Sequence, residues 1–147
     1  MFNFEKLIAY QETKKLVSHV YTLAEKISNA EGEVIKKQIK KAAVEVPCSI
    51  AEGMSLATTS EKIAHLDKAY CSIARVYTLL QLAVELGYVA IADLDAISEE
   101  LLEISKVVLG LKRKLKGDSY SGVRDDYAPR GEKTEYRDSS LDGVEEI

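Results

Sequence analysis

Between positions 94 and 115 the apolar residues Leu94, Ile97, Leu101, Ile104, Val108, Leu111 and Leu115 follow one another at alternating steps of three and four without a break. That spacing draws a single narrow stripe down an α-helix and cannot be read as the two-residue alternation of a half-buried strand. A long helix with one oily seam has to hide it against other helices. The composition agrees. Of 147 residues, 46% are apolar and 30% charged, with only two prolines and eight glycines, so turns are scarce and helix formers abundant. An all-β sandwich or barrel is thereby disfavoured, and the chain is long enough for one domain with a real core but short for two.

Three further segments carry the same signal. In the first, about 4–28, Leu16, Val20, Leu23, Ala24 and Ile27 form the inner stripe, followed by a turn at Asn29-Ala30-Glu31-Gly32. In the second, Ile35, Ile39, Ala42, Val46, Ile50 and Gly53 share a face whose small members invite a close neighbour. Pro47 is expected to kink this helix without dividing it, because the stripe keeps phase across it. The third opens on Thr58 with Glu61 three residues on, a capping-box pattern, and closes at Leu86-Gly87. Its expected core stripe is Leu66, Ala69, Tyr70, Ile73, Tyr77, Leu80 and Val84. Gly110 interrupts the propensity of the fourth helix, unless a close-packed neighbour requires the missing side chain.

Four amphipathic helices with brief connections specify an all-α, up-down-up-down antiparallel four-helix bundle over residues 1–116. Residues 117–147 hold four basic against nine acidic side chains, few large aliphatics and no sustained period, and are expected to form a flexible acidic tail. Apolar residues remain that one bundle does not need: Phe4, Leu7, Ile8, Leu79, Leu82 and Leu86. Surplus apolar surface usually marks a partner, and a second copy of the chain is the simplest one. The opening Met1-Phe2-Asn3-Phe4-Glu5-Lys6 lacks the layout of a signal peptide, and no apolar run approaches the ~20 residues of a membrane span. A cytoplasmic protein with no membrane partner is the expectation.

Chemistry is harder to find. Neither phosphate-cradling nor dinucleotide glycine patterns occur, and HExxH, paired CxxC and Glu-x-x-His are all missing, so no metal, cofactor or catalytic residue is assigned. Cys48 and Cys71 are too few for a disulfide framework or a zinc site. An enzyme built on Glu52, His65 or Tyr70 is the least favoured class. What stands out is charge. Lys36, Lys37, Lys40 and Lys41 fan over one side of the second helix, and Lys112, Arg113 and Lys114, with Lys116, crowd the end of the fourth. Both clusters suit solvated surface, and both suit contact with the phosphates of RNA or DNA.

The motifs Phe4-Glu5-Lys6-Leu7 with Tyr10-Gln11, Gln38-Ile39-Lys40-Lys41-Ala42-Ala43 leading to Val46-Pro47, Ser49-Ile50-Ala51-Glu52-Gly53, and Leu86-Gly87-Tyr88 occur in this order. They resemble the 23S rRNA intervening-sequence protein family over about residues 2–116. The resemblance implies a small, bacterial, non-enzymatic four-helix bundle that assembles as a homopentamer. Similar bundles serve as accessory variability proteins of diversity-generating retroelements, where a basic pentamer engages nucleic acid and the reverse transcriptase. Lys40 and Lys41 match the basic pair of the family's Gln-Ile-basic-basic-Ala motif. The chain departs at Cys48 and Ser49, where serine and asparagine are usual, and at Met54-Ser55-Leu56, where relatives place an arginine.

Overall fold

The computed structural model describes residues 1–119. Met1–Lys112 form one unit and Arg113–Ile147 a second, of which the described part is the end of the last helix. The tail expected over 117–147 lies, from residue 120 onward, outside the described residues. In the first unit the architecture is a four-helix bundle of α1 (Ile8–Ala24), α2 (Glu33–Met54), α3 (Thr59–Glu85) and α4, which runs Ile91–Ser119. No strand occurs among the described residues.

Cross-links fix the antiparallel register of neighbouring helices. His19 of α1 meets Glu100 of α4, and Lys26, just past the end of α1, meets Asp93 near the start of α4, so the partner number falls as the other rises. Arg75 of α3 donates to the Gln38 side chain of α2 at 3.1 Å, and Lys112 of α4 reaches Asp67 of α3 at 2.7 Å. Inside, Leu16, Val20, Ile39, Val46, Ile50, Leu66, Val76 and Leu80 are fully enclosed. Each such side chain stabilises the fold by roughly 1.5–3 kcal/mol relative to an exposed one. The helix ends follow local chemistry. Thr58 accepts from the Glu61 amide at 3.1 Å while Glu61 returns to the Thr58 amide, completing the capping box. Gly87, at φ +82°, ends α3, with its amide on the Val84 carbonyl and that of Tyr88 on Ala83. The corner between α2 and α3 is tied by Lys62, whose ammonium donates to the Met54 and Leu56 carbonyls at 3.2 and 2.5 Å. At the other end, Gly32 is buried where a Cβ would stand 2.5 Å from Ile27 and 3.3 Å from the Tyr88 ring. α2 continues through the buried Pro47 without dividing, as its stripe implied.

Three expectations are corrected. The first helix does not start at Phe4: a 3₁₀ turn spans Asn3–Lys6, Leu7 is extended, and α1 begins at Ile8. The Glu5 carboxylate accepting from the Phe2 amide and the Gln11 side chain donating to the Glu5 carbonyl hold that break. Tyr70 and Tyr77 lie outside the core, whose α3 positions are instead Leu66, Ala69, Ser72, Ile73, Val76, Leu79, Leu80 and Ala83. Small residues at 69, 72 and 83 turn the face of α3 inward here. Leu79, expected on an interface, is consequently buried at 7% exposure.

Among the described residues, nothing outside the neighbouring backbone of its own helix lies within 4 Å of where a Cβ on Gly110 would stand. With the propensity cost of about 1 kcal/mol uncompensated by any described neighbour, Gly110→Ala is expected to raise the urea midpoint. A loss instead would mean that another copy packs closely at this point.

Candidate nucleic-acid interface

The basic residues of α2 divide into two kinds. Lys36 and Lys40 turn toward α1, where both ammonium groups converge on the Glu25 carboxylate, Lys36 at 3.4 Å and Lys40 in a direct hydrogen bond. Lys40 also sits over the Tyr21 ring, 5.0 Å from its centroid. The two lysine side chains are thereby drawn down to 16% and 24% exposure, while Glu25 stays 58% exposed. Hydrogen bonds from Lys40 and then Lys36 hold the Glu25 carboxyl below its ordinary value, and Glu25 holds the Lys40 ammonium above its own. A carboxylate depressed on folding stabilises the fold above its unfolded pKa and loses that contribution as pH falls through its folded one, so the clip is closed at neutral pH. Lys37 and Lys41, by contrast, are exposed on the outer side of α2 and take part in no ion pair among the described residues.

Along α1, Tyr10, Lys14, Tyr21 and Glu25 recur at steps of four, seven and four and so share the side that meets α2. Lys14 lies 5.1 Å from the Tyr10 ring centroid, and Tyr10 meets the edge of Phe4, itself stacked on Phe2. The α1/α2 face is therefore basic with tyrosines interleaved. Sequence reasoning found its four α2 lysines and missed Tyr21 and Glu25, which become neighbours of Lys36 and Lys40 only when α1 folds back on α2, and Lys14 and Tyr10, which lie further toward the start of α1.

Of the second basic cluster, Lys112 lies within the first unit and does not join this face. Lys112 is turned to Asp67 on α3, and Arg113 and Lys114 follow it on α4, exposed. Of the apolar set, Ile8, Leu82 and Leu86 are exposed and Phe4 and Leu7 half-buried. Ile8 starts α1, whereas Leu82 and Leu86 lie at the end of α3, so the antiparallel register puts them at opposite ends of the bundle. Between α3 and α4 runs an apolar groove of about 420 Å³, lined by Tyr70, Ile73, Tyr77, Leu101 and Leu102 among others. Glu52 is exposed; His65 is half-buried, its ring nitrogen 3.2 Å from the Glu61 carbonyl. No group of three or more His, Cys, Asp or Glu among the described residues is placed to hold a metal. None of their helices is long and apolar enough to cross a membrane.

The family model of the 23S rRNA-intervening sequence protein matches residues 5–110. The chain belongs to this family. The match takes in the 3₁₀ turn from Glu5, all of α1, α2 and α3, and α4 as far as Gly110. Within it, Gln38-Ile39-Lys40-Lys41-Ala42 is the stretch of α2 that carries the split lysine cluster, and Ala51-Glu52-Gly53 ends where Gly53 meets α3. A crystal structure described as a protein of unknown function from the S23 ribosomal protein family of Bacteroides thetaiotaomicron VPI-5482 shares the fold. Its TM-score is 0.65 at 18% identity, over 71% of this chain and 98% of that one. No curated protein matches.

Proposed function

We propose that this family member is a non-catalytic, self-associating cytoplasmic accessory protein that holds RNA or DNA on its α1/α2 face. The observation that carries the reading is the position of Lys37 and Lys41, two exposed cations without ion partners among the described residues, next to Lys36 and Lys40 on α2, with Lys14 further along α1, on a surface that also bears tyrosine rings. Lysines supply backbone contacts of little sequence preference, and tyrosines supply base stacking. Lys112, Arg113 and Lys114 form a second candidate contact. Self-association is supported by Ile8 at one end and Leu82 with Leu86 at the other. Two different patches favour a head-to-tail contact, which closes into a ring when the rotation allows, as in a pentamer. Repetition around such a ring multiplies a modest local field.

The test is the binding of ribosomal or retroelement RNA as a function of salt. Lys37→Ala with Lys41→Ala is expected to weaken binding at low salt and to flatten the slope of log affinity on log salt by about 1.4, at ~0.7 per phosphate contact on a single strand. Affinity unchanged by the pair, or no binding at low salt, overturns the reading. The α3/α4 groove favours a second reading, a protein-interaction scaffold whose partner is a reverse transcriptase. Co-purification with a polymerase that survives nuclease treatment and is lost on Leu102→Glu supports that alternative.

A further inference from the structure

We infer that Lys36 and Lys40 form a phosphate-binding site for a nucleic-acid backbone, and that Glu25 occupies it as a built-in phosphate mimic until the nucleic acid displaces it. The inference rests on the proposed function and deepens it, by naming a second class of lysine on the same face and the group that regulates it.

The geometry points this way in three respects. First, Lys36 and Lys40 are one helical turn apart, so their ammonium groups fall on one side of α2, and both are aimed at a single two-oxygen anion rather than spread into solvent. A phosphodiester presents two anionic oxygens of similar reach, which makes the carboxylate a fair template for it. Second, the accessibilities are inverted relative to a buried clip. The lysines are largely covered and the carboxylate that joins them is mostly in water, so the outermost member is the one that leaves. Because its carboxylate side stands in water, where solvent and salt screen the attraction, the pair is open to displacement by a polyanion. Third, the site has a floor that does not depend on Glu25. The Tyr21 ring over which Lys40 lies is carried on the body of α1, whereas Glu25 is the residue that caps the end of that helix, just beyond its last full turn.

Exchange of one anion for another also explains how a body of near-neutral formal charge, sixteen basic against fifteen acidic side chains over residues 1–116, can present a basic face. In the free protein two of the four α2 lysines share one internal carboxylate, which offsets one of their two charges and occupies both ammonium groups. When a strand docks on Lys37 and Lys41, its neighbouring phosphates compete with Glu25 for the other two, and the face gains cations only in the presence of the ligand that uses them.

The experiment compares four proteins in binding a short single-stranded RNA across a salt series: the unaltered chain, Glu25→Gln, Glu99→Gln and the triple variant Glu25→Gln with Lys36→Ala and Lys40→Ala. Glu99 is exposed on α4, beside the groove between α3 and α4, so its replacement makes the same change in net charge without touching the lysine pair. The expected result is a gain of about tenfold at low salt for Glu25→Gln, with little change for Glu99→Gln and no gain in the triple variant. The salt slope should steepen by up to about 1.4 as two phosphate contacts no longer have a competitor. Equal gains for Glu25→Gln and Glu99→Gln would reduce the effect to net charge and overturn the inference. So would a gain that survives in the triple variant, or binding that Glu25→Gln leaves as it was. In those three cases the proposed function stands on the unaltered protein's binding; RNA bound by none of the four removes both. Inorganic phosphate added as a competitor identifies the chemistry, because it should erase the Glu25→Gln gain at concentrations that leave the remaining binding measurable.

Discussion

Gly53→Ala is expected to destabilise the bundle by about 2 kcal/mol, a fall of roughly 10 °C in the unfolding midpoint for a domain of this size. Helix propensity alone gives the opposite sign, a gain of about 1 kcal/mol for alanine over glycine inside a helix. Contact decides against it. A Cβ at position 53 would stand 2.5 Å from the Cβ of His65 and 3.3 Å from the Lys62 carbonyl oxygen. Neither is the movable end of a flexible side chain, so α2 and α3 must separate where they approach most closely, and the enclosed Ile50 and Leu66 beside them lose packing. Gly110→Ala serves as the internal reference, the same substitution into open space. Thermal or urea unfolding of the two variants should move in opposite directions, and a gain at both positions would mean that the α2–α3 contact is looser than described.

Leu80→Ala is expected to cost about 3 kcal/mol, within the 2–5 kcal/mol range of leucine truncations that leave a cavity, because Leu80 is wholly enclosed. Leu82, two positions on, is 45% exposed, and Leu82→Ala should alter the stability of the dissociated chain by less than about 0.5 kcal/mol. Its effect should fall on self-association, read by sedimentation over a concentration series, where apparent stability also becomes concentration-dependent. A Leu80→Ala variant that unfolds at the original urea midpoint would place the core elsewhere. Sedimentation unchanged by Leu82→Ala would take that end of α3 out of the interface.

The parts of this fold that could be read from the chain are those decided within one helix. The seam of α4 from Leu94 to Val108 is buried as its spacing required, and the Thr58–Glu61 box and the Gly87 terminator are contacts between residues at most a turn apart. Periodicity reveals that α3 has an oily side, but two adjoining stripes qualified, and the choice between them belongs to the neighbouring helix. Gly53 on α2 and the small residues Ala69, Ser72 and Ala83 on α3 allow the closer approach, which takes Leu79 and Val76 inward and leaves Tyr70 and Tyr77 on the rim of a groove. The site follows the same division. Four lysines in six positions are evident at once, yet which of them carry unspent charge depends on Glu25, fifteen residues away on another helix, and on the Tyr21 ring beneath Lys40.

The two ends of the bundle are closed by connections of very different reach. Lys62 fastens the α2–α3 corner to carbonyls six and eight residues back, a short loop that a collapsing chain can form early and cheaply. At the opposite end the Tyr88 ring seals against Gly32 only when α2 and α3 have lain down along their whole length. The molecule is thus expected to zip from the Lys62 corner toward the Gly32–Tyr88 end, and in the native state to fray in the reverse order.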